Sequence, residues 1–264
     1  TAMTTRTAIL RQPWWARLAA YLAPLLALLN PGPLMPAVAV SLVVGVTIGW
    51  LMHLMSGTPP WSITALALVA LLPVGVLKWR ADYRAYGATV TLLSVLLLTQ
   101  GAHTIEHIVQ WVQYYVLYLP ARQSSGLISA ANSEWVHFIW NWGVLLVVAL
   151  LWQRGMRGRV AGVLLAVVIA HAVEHTYLFV RYHMVLGELS QLDVRGVTAQ
   201  GLAGIVGRDG WLARIPLPQG PFLFTLPGLT TALRLDVHFW WNVIETSLLL
   251  AAAAVFLQQK QVAE

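Results

Sequence analysis

The chain has 264 residues, of which 58% are hydrophobic and only 10% are charged, and its mean hydropathy is +0.70. Soluble domains carry about 25% charged residues, so this composition excludes an ordinary cytosolic enzyme, a coiled coil and a disordered chain. The absence of cysteine excludes disulfides, thiolate metal sites, iron–sulfur clusters and covalently attached c-type haem. The formal charge of +6 is attributed to basic loops beside a membrane, and nucleic acid is not an expected partner.

Six apolar windows, numbered spans 1 to 6, predict helices that cross a bilayer, which takes about 20 residues. They are Pro36–Ser56, Ser62–Leu77, Ala88–Leu119, Glu134–Gln153, Val160–His183 and Leu235–Leu257. A shorter apolar stretch, Trp14–Leu29, precedes them and is predicted to be an interfacial helix with Trp14 and Trp15 at the level of the lipid headgroups. The predicted fold class is therefore an all-α integral membrane protein.

The basic residues predict how the chain is oriented. Ten of the sixteen Lys and Arg residues lie before span 1, between spans 2 and 3, between spans 4 and 5, or after span 6. They are Arg6, Arg11, Arg17, Lys78, Arg80, Arg84, Arg154, Arg157, Arg159 and Lys260. Because basic residues accumulate on the cytoplasmic side, both termini are predicted to be cytoplasmic in the plasma membrane.

These predictions divide the chain into four segments. Residues 1–35 form the cytoplasmic N-terminus with the interfacial helix, and residues 36–86 form a peripheral transmembrane hairpin. Residues 87–159 and 160–264 each form a hairpin that carries polar motifs, and the second includes a long extracytoplasmic connection at 184–234. A connection of that length is expected to be a lid, a docking surface or disordered, and its role stays open.

Two motifs occur twice and in the same order. The pattern HxxEH occurs at 103–107 and at 171–175, and the pattern VHFxWN occurs at 136–141 and at 237–242. One copy of each lies in spans 3 and 4, and the other lies in spans 5 and 6. The duplication predicts a four-helix bundle built from two helical hairpins that are related by a pseudo-two-fold axis along the membrane normal.

The repeated polar residues are predicted to bind metal in the outer half of the membrane. Residues at positions i, i+3 and i+4 share one helix face, so the His and Glu side chains of each HxxEH project together. A carboxylate at this depth costs several kcal/mol unless it is paired or bound to a metal. The predicted ligands are His103, Glu106, His107, His137, His171, Glu174, His175 and His238. The residues predicted to orient or tune them are Asn141, Asn242, Glu134, Glu245 and Arg181.

Pseudo-two-fold symmetry assigns three His and one Glu to each half, which suits two transition-metal ions. Imidazole and carboxylate ligands favour Fe, then Cu or Zn, over Mg or Ca. The set resembles histidine-rich non-haem di-iron sites that bind or activate O₂. The HxxxH spacing within HxxEH is similar to that of membrane fatty-acid desaturases and hydroxylases, although their HxxHH boxes are missing here. Haem is less favoured, because two imidazoles one turn apart would crowd a single porphyrin.

The predicted function is an oxidoreductase that uses O₂ to oxidise a lipophilic small molecule at the extracytoplasmic side, with Glu106 and Glu174 as catalytic residues. Such an enzyme requires an external electron donor. A zinc hydrolase of a lipid or peptide is an alternative, because HxxEH is also the inverzincin pattern, in which Glu is the general base. Further alternatives are a non-catalytic metal- or haem-binding subunit and a purely structural polar network. The oligomeric state and the participation of His53 and His183 stay open.

Overall fold

The computed structural model describes residues 13–129, 132–194, 201–215 and 228–263, with side chains up to residue 260. Within these ranges all regular structure is helical. Five helices are long and apolar enough to cross a membrane, and a shorter apolar helix precedes them. The predicted class of helical membrane protein is confirmed at this level.

The helices are α1 (Trp14–Leu29), α2 (Met35–Ser56), α3 (Trp61–Tyr115), α4 (Glu134–Gln153), α5 (Arg159–Gln191), α6 (Trp211–Arg214) and α7 (Arg234–Ala263). Span 5 is predicted to end at His183, whereas the helix α5 continues to Gln191. Hydropathy marks the end of an apolar run, whereas the Met, Leu, Glu and Gln residues that follow are good helix formers. Residues 195–200 and 216–227 of the predicted long connection, together with residues 1–12, lie outside the described ranges.

Spans 2 and 3 belong to one 55-residue element, α3, which is why five helices are long enough to cross a membrane although six spans are predicted. This element is broken at Gly87, whose φ of 74° and ψ of 177° are open essentially to glycine alone. Ser94 Oγ donates to Asp82 Oδ2 at 2.7 Å, although these residues are 12 apart in sequence. A continuous helix would separate them by about 18 Å. The chain therefore changes direction at Gly87, between a first limb (61–86) and a second limb (88–115).

The first limb extends beyond the predicted end of span 2 at Leu77 because its polar residues are paired. Lys78 Nζ donates to Asp82 Oδ2 at 2.7 Å, one helical turn away, and to the carbonyl of Leu28 in α1 at 2.7 Å. Helix α2 packs closely on this limb through two glycines. A Cβ added to Gly45 or Gly49 would lie 2.6 Å from a Cα atom of α3. Small residues of this kind allow two membrane helices to approach each other.

The second limb of α3, α4, α5 and α7 contact each other around a ring: α3 with α4, α4 with α5, α5 with α7, and α7 with α3. One part of the interior is apolar and includes Leu93, Leu151 and Leu164, which are fully buried. Helix α1 contacts α3 and α7 beside this core, where Gln258 Nε2 donates to the carbonyl of Tyr21 at 3.1 Å. Its helical structure is confirmed, and its interfacial position stays a prediction. The other part of the interior contains the repeated polar motifs.

Candidate metal centre

Six of the eight histidines lie together between α3, α4, α5 and α7. These are His103, His107, His137, His171, His175 and His238, called here the histidine group. Neighbouring rings in the group have centroids 4.7–6.0 Å apart. Five of them are buried, and His103 is partly exposed. The helices thus bring together every histidine of the two repeated motifs, while the role of these residues as metal ligands stays a prediction.

Within the described residues, one group of His, Asp or Glu side chains has its ligand atoms close enough to hold a metal ion, and it belongs to the first hairpin. One nitrogen from each of His103, His107 and His137 lies within 4.8 Å of the other two. The Nε2 atoms of His103 and His107 are 3.3 Å apart. Two nitrogens bound tetrahedrally to one ion at about 2.0–2.1 Å are about 3.3–3.4 Å apart. These two side chains therefore already have the separation that a shared metal ion requires.

Four of the six imidazoles are held through Nδ1 by an oxygen acceptor. The contacts are His107 to Gln110 Oε1 (3.0 Å), His137 to the carbonyl of Ser133 (3.2 Å), His171 to Glu245 Oε2 (2.8 Å) and His238 to the carbonyl of Arg234 (2.9 Å). Because each partner atom is an acceptor, Nδ1 carries the proton and Nε2 keeps its lone pair. Metal-binding histidines are oriented in this way by carbonyl or carboxylate groups.

The second half contains buried polar atoms without a partner. Nε2 of His171, both ring nitrogens of His175 and Oε1 of Glu245 make no hydrogen bond within the described part of the chain. Each unsatisfied buried donor or acceptor costs about 1–3 kcal/mol. Imidazole nitrogens and a carboxylate oxygen are also good ligands for transition metals. A bound metal ion would therefore satisfy atoms that the protein itself leaves unpaired.

The two VHFxWN motifs make the same contacts in both halves. Asn141 Nδ2 donates to the carbonyl of His137 at 2.9 Å, and Asn242 Nδ2 donates to that of His238 at 2.9 Å. Each asparagine thus bonds the backbone carbonyl of the histidine one turn earlier. Its predicted effect on the orientation of that imidazole would therefore be transmitted through the helix backbone. The Trp140 ring lies 5.1 Å from that of His103, and in the second half Trp241 stacks on His171 at 5.1 Å.

Glu106 is bound to the connection that follows its own helix. Its Oε2 accepts from the backbone N–H of Leu127 at 2.8 Å, and its Oε1 accepts from that of Ile128 at 2.9 Å. A Cβ on the preceding Gly126 would lie 2.1 Å from Oε1, and its φ of 80° also favours glycine, so a larger residue here would displace the carboxylate or strain the backbone. Both carboxylate oxygens thus bond the connection, outside the closest set of histidine nitrogens.

Glu174 has the corresponding position in the second half. It accepts from the backbone N–H of Ile205 at 3.1 Å and from that of Val206 at 3.4 Å. A Cβ on the preceding Gly204 would lie 1.8 Å from Glu174 Oε1. The metal-binding and catalytic roles of the two glutamates stay predictions, whereas their observed contacts hold the connections against the helices.

These contacts reveal a third repeated motif that the sequence analysis missed. Gly126-Leu127-Ile128 and Gly204-Ile205-Val206 both consist of a glycine and two aliphatic residues. Each follows an HxxEH helix and supplies the amides that its glutamate accepts. The pattern is visible in the sequence, but three small or aliphatic residues carry little information without the contact. The glycines and amides could be recognised only once their position was known.

The remaining predicted residues lie around the group. Glu134 at the start of α4 forms an ion pair with Arg234 at the start of α7, and Arg234 also bonds the carbonyl of Leu202. Arg181 Nη1 donates to the carbonyl of Ala203 at 3.0 Å, so it contacts the second connection. Arg234 was not among the predicted site residues. Its position just before span 6, close to the second VHFxWN, is the signal that could have indicated it.

The other two histidines have different surroundings. His53 Nδ1 lies 2.5 Å from the carbonyl oxygen of Thr58, just after α2. The ring of His183 contacts those of Phe179 and Tyr182 on α5. Neither contact involves a member of the histidine group.

Comparison with known proteins adds no relative to this description. The chain matches no family model, no curated protein and no solved structure, so the chemistry of the histidine group must be inferred from its own geometry.

Proposed function

We propose that this chain is an integral membrane metalloprotein in which two related hairpins bind two transition-metal ions. Each hairpin supplies three imidazoles, from His103, His107 and His137 in the first half and from their counterparts in the second. The observation that carries the proposal is the orientation of the rings: four Nδ1 atoms bond oxygen acceptors, which directs the metal-binding lone pair to Nε2. The matched contacts of the two VHFxWN motifs support a pseudo-two-fold bundle.

The ligand chemistry narrows the choice of metal. Imidazole suits Fe, Cu and Zn, whereas Mg and Ca prefer oxygen ligands. Because Glu106 and Glu174 bond backbone amides, the ligand set is richer in imidazole than the sequence indicates. A ligand set richer in imidazole favours the binding of Cu and Zn over that of Fe more than the sequence alone indicates. Glu245 contributes through its contact with His171, where a carboxylate raises the basicity of the ligand.

The proposed reaction is the O₂-dependent oxidation of a lipophilic molecule, with electrons from an external donor. The metals, when bound, would supply the site at which O₂ is bound and reduced. The protein's own residues bury most of the histidine group: Trp140 and Trp241 contact imidazoles, and the two glutamates hold the connections against the helices. Burial of this kind excludes water from a reactive centre.

Zinc-dependent hydrolysis has less support from this geometry. That mechanism requires the Glu of HxxEH to act as a base on a zinc-bound water. Both oxygens of Glu106 and both oxygens of Glu174 instead accept from backbone N–H groups. A hydrolase would have to break these contacts before the glutamate could take a proton.

Elemental analysis and optical spectroscopy of the purified protein test the proposal. The wild type is compared with His107→Ala and His175→Ala, one from each half, and with His183→Ala as a matched control outside the group. About two Fe or Cu per chain in the wild type and in the control, reduced in both other variants, would support a redox centre. Zinc without a visible spectrum would favour hydrolysis, and a Soret band would indicate haem. Metal content that is absent or indifferent to all three substitutions would exclude a metal centre.

A further inference from the structure

An apolar groove of about 480 Å³ lies between the second limb of α3 and α4, outside the histidine group. Leu92 and Val147 line one end, and Trp135, Ile139 and Trp140 line the other. The volume is within the range of about 300–1,000 Å³ that is typical of small-molecule sites. Ile139 and Trp135 are 60% and 57% exposed, so the groove opens sideways from the helices, where lipid would surround the protein.

The groove reaches the histidine group at Trp140. This indole lines the groove, and its ring centroid is 5.1 Å from that of His103. Trp140 Nε1 donates to Gln100 Oε1 at 3.0 Å, which fixes the ring in this position. His103 is also the one member of the histidine group that is not buried. A molecule in the groove would therefore approach the group at its most accessible imidazole.

The lining is suited to a hydrocarbon chain. Thr99 is the hydroxyl-bearing residue of the lining, and its Oγ1 already donates to the carbonyl of Val95 at 2.9 Å. The indole N–H of Trp140 also already donates a hydrogen bond. The lining therefore offers few free side-chain donors to a polar group. On α4 the lining extends from Trp135 to Val147, which is about 18 Å at 1.5 Å per residue. An acyl chain in one leaflet occupies half of a hydrocarbon core of about 30 Å, a similar length.

We infer that the groove holds the hydrocarbon chain of the substrate, a long single-chain amphiphile dissolved in the membrane, with its head group beyond Trp135. This inference rests on the proposed function, because it assigns a substrate class to the metal centre. Trp135 is suited to the head-group end, since exposed Trp side chains favour the membrane–water interface. The chain then passes Trp140, whose indole contacts the His103 ring.

Photo-crosslinking of the full chain tests this inference. The probe is a 16-carbon fatty acid with a diazirine in its chain, added to protein in nanodiscs, and the labelled peptides are mapped by mass spectrometry. Gly143→Leu fills the groove, because Gly143 lines it and a Cβ there meets nothing within 4 Å. Gly101→Leu is the matched control, since Gly101 lies on the second limb, has the same free space and is outside the lining.

Labels are expected within 92–99 and 135–147. The yield of these labels should decrease about tenfold or more in Gly143→Leu, because the leucine side chain occupies the space in which several methylenes of the probe would be buried. The yield should stay unchanged in Gly101→Leu. Labels spread over all exposed helices, or equal labelling in the three proteins, would overturn the inference.

Metal content is measured in the same samples. Stoichiometric metal with dispersed labels would overturn the assignment of the groove as the substrate site and leave the metal centre supported. Labelling of the groove in protein without metal would support the binding of a hydrocarbon chain there and overturn the proposed metal centre.

Discussion

The carboxylate of Glu245 lies 2.8 Å from Nδ1 of His171, and both side chains are almost fully shielded. The corresponding position in the first half of the repeat is Val144, so this contact belongs to one half alone. The two halves therefore present the same histidines in different electrostatic surroundings. The same contact keeps the proton on Nδ1 and leaves Nε2 of His171 available.

Replacing Glu245 with Gln should weaken metal binding while preserving side-chain volume. Loss of a carboxylate behind a ligating histidine typically costs about 10–100-fold in metal affinity. Competition titration with a coloured chelator measures this change in the purified protein. Glu188→Gln, at the exposed end of α5, is the control and should bind metal like the wild type. Equal affinity of the Glu245→Gln variant and the wild type would show that the carboxylate charge behind His171 does not contribute to metal binding.

Gly204→Ala should release the second connection from α5. The added Cβ would lie 1.8 Å from Glu174 Oε1, so either the glutamate or the connection must move. Glu174→Gln should have a smaller effect in the same direction, because it removes the charge from hydrogen bonds that contribute about 1.5–3 kcal/mol. Hydrogen exchange at Ile205 and Val206 should accelerate in both variants. Gly187→Ala, where a Cβ has free space, should leave exchange unchanged. Protection that survives Gly204→Ala would contradict the observed contact.

Arg234→Met should destabilise the protein more than the double variant Arg234→Met with Glu134→Gln. The single change leaves Glu134, only 2% exposed, without its cation. Loss of one partner of a fully buried pair costs about 3–5 kcal/mol, and a smaller cost is expected here because Arg234 is 26% exposed. Thermal unfolding in detergent gives the order of stability. A double variant less stable than the single variant would argue against a charge effect.

Gly87→Ala should destabilise α3 by about 1–3 kcal/mol, the usual cost of an L-residue in this backbone region. A Cβ at Gly87 meets nothing within 4 Å, so the cost comes from backbone conformation rather than from a clash. Gly101→Ala, at a helical position with equal space, should instead stabilise by up to about 1 kcal/mol. Opposite signs in thermal unfolding are the expected result. If both variants were stabilised, residue 87 would have to be helical.

The predicted orientation can be tested directly, because the chain contains no cysteine. Arg157→Cys, in the turn between α4 and α5, is expected to react with a membrane-impermeant maleimide only after the membrane is opened. Arg122→Cys, between α3 and α4, should react in intact cells. The reverse pattern would place the histidine group near the cytoplasmic side.

Sequence reasoning located the histidine group but not what its glutamates bind. The i, i+3 and i+4 spacing places His103, Glu106 and His107 on one side of a helix, and the duplication relates them to the second hairpin. Glu106 nevertheless bonds amides 21 and 22 residues further along the chain. A shared face does not specify which hydrogen-bond partner a carboxylate will find. That depends on how the connection folds back.

The sequence by itself determined the helical membrane class, the approximate apolar spans and the repeated histidines, because hydropathy and helical periodicity are local properties. Only the tertiary structure decided the break at Gly87, the ion pair of Glu134 with Arg234 and the contact of Glu245 with His171. Each joins residues that are distant in sequence or depends on a single backbone conformation. Such contacts are selected by the packing of whole helices, in which a buried polar atom must find a partner wherever the fold places one.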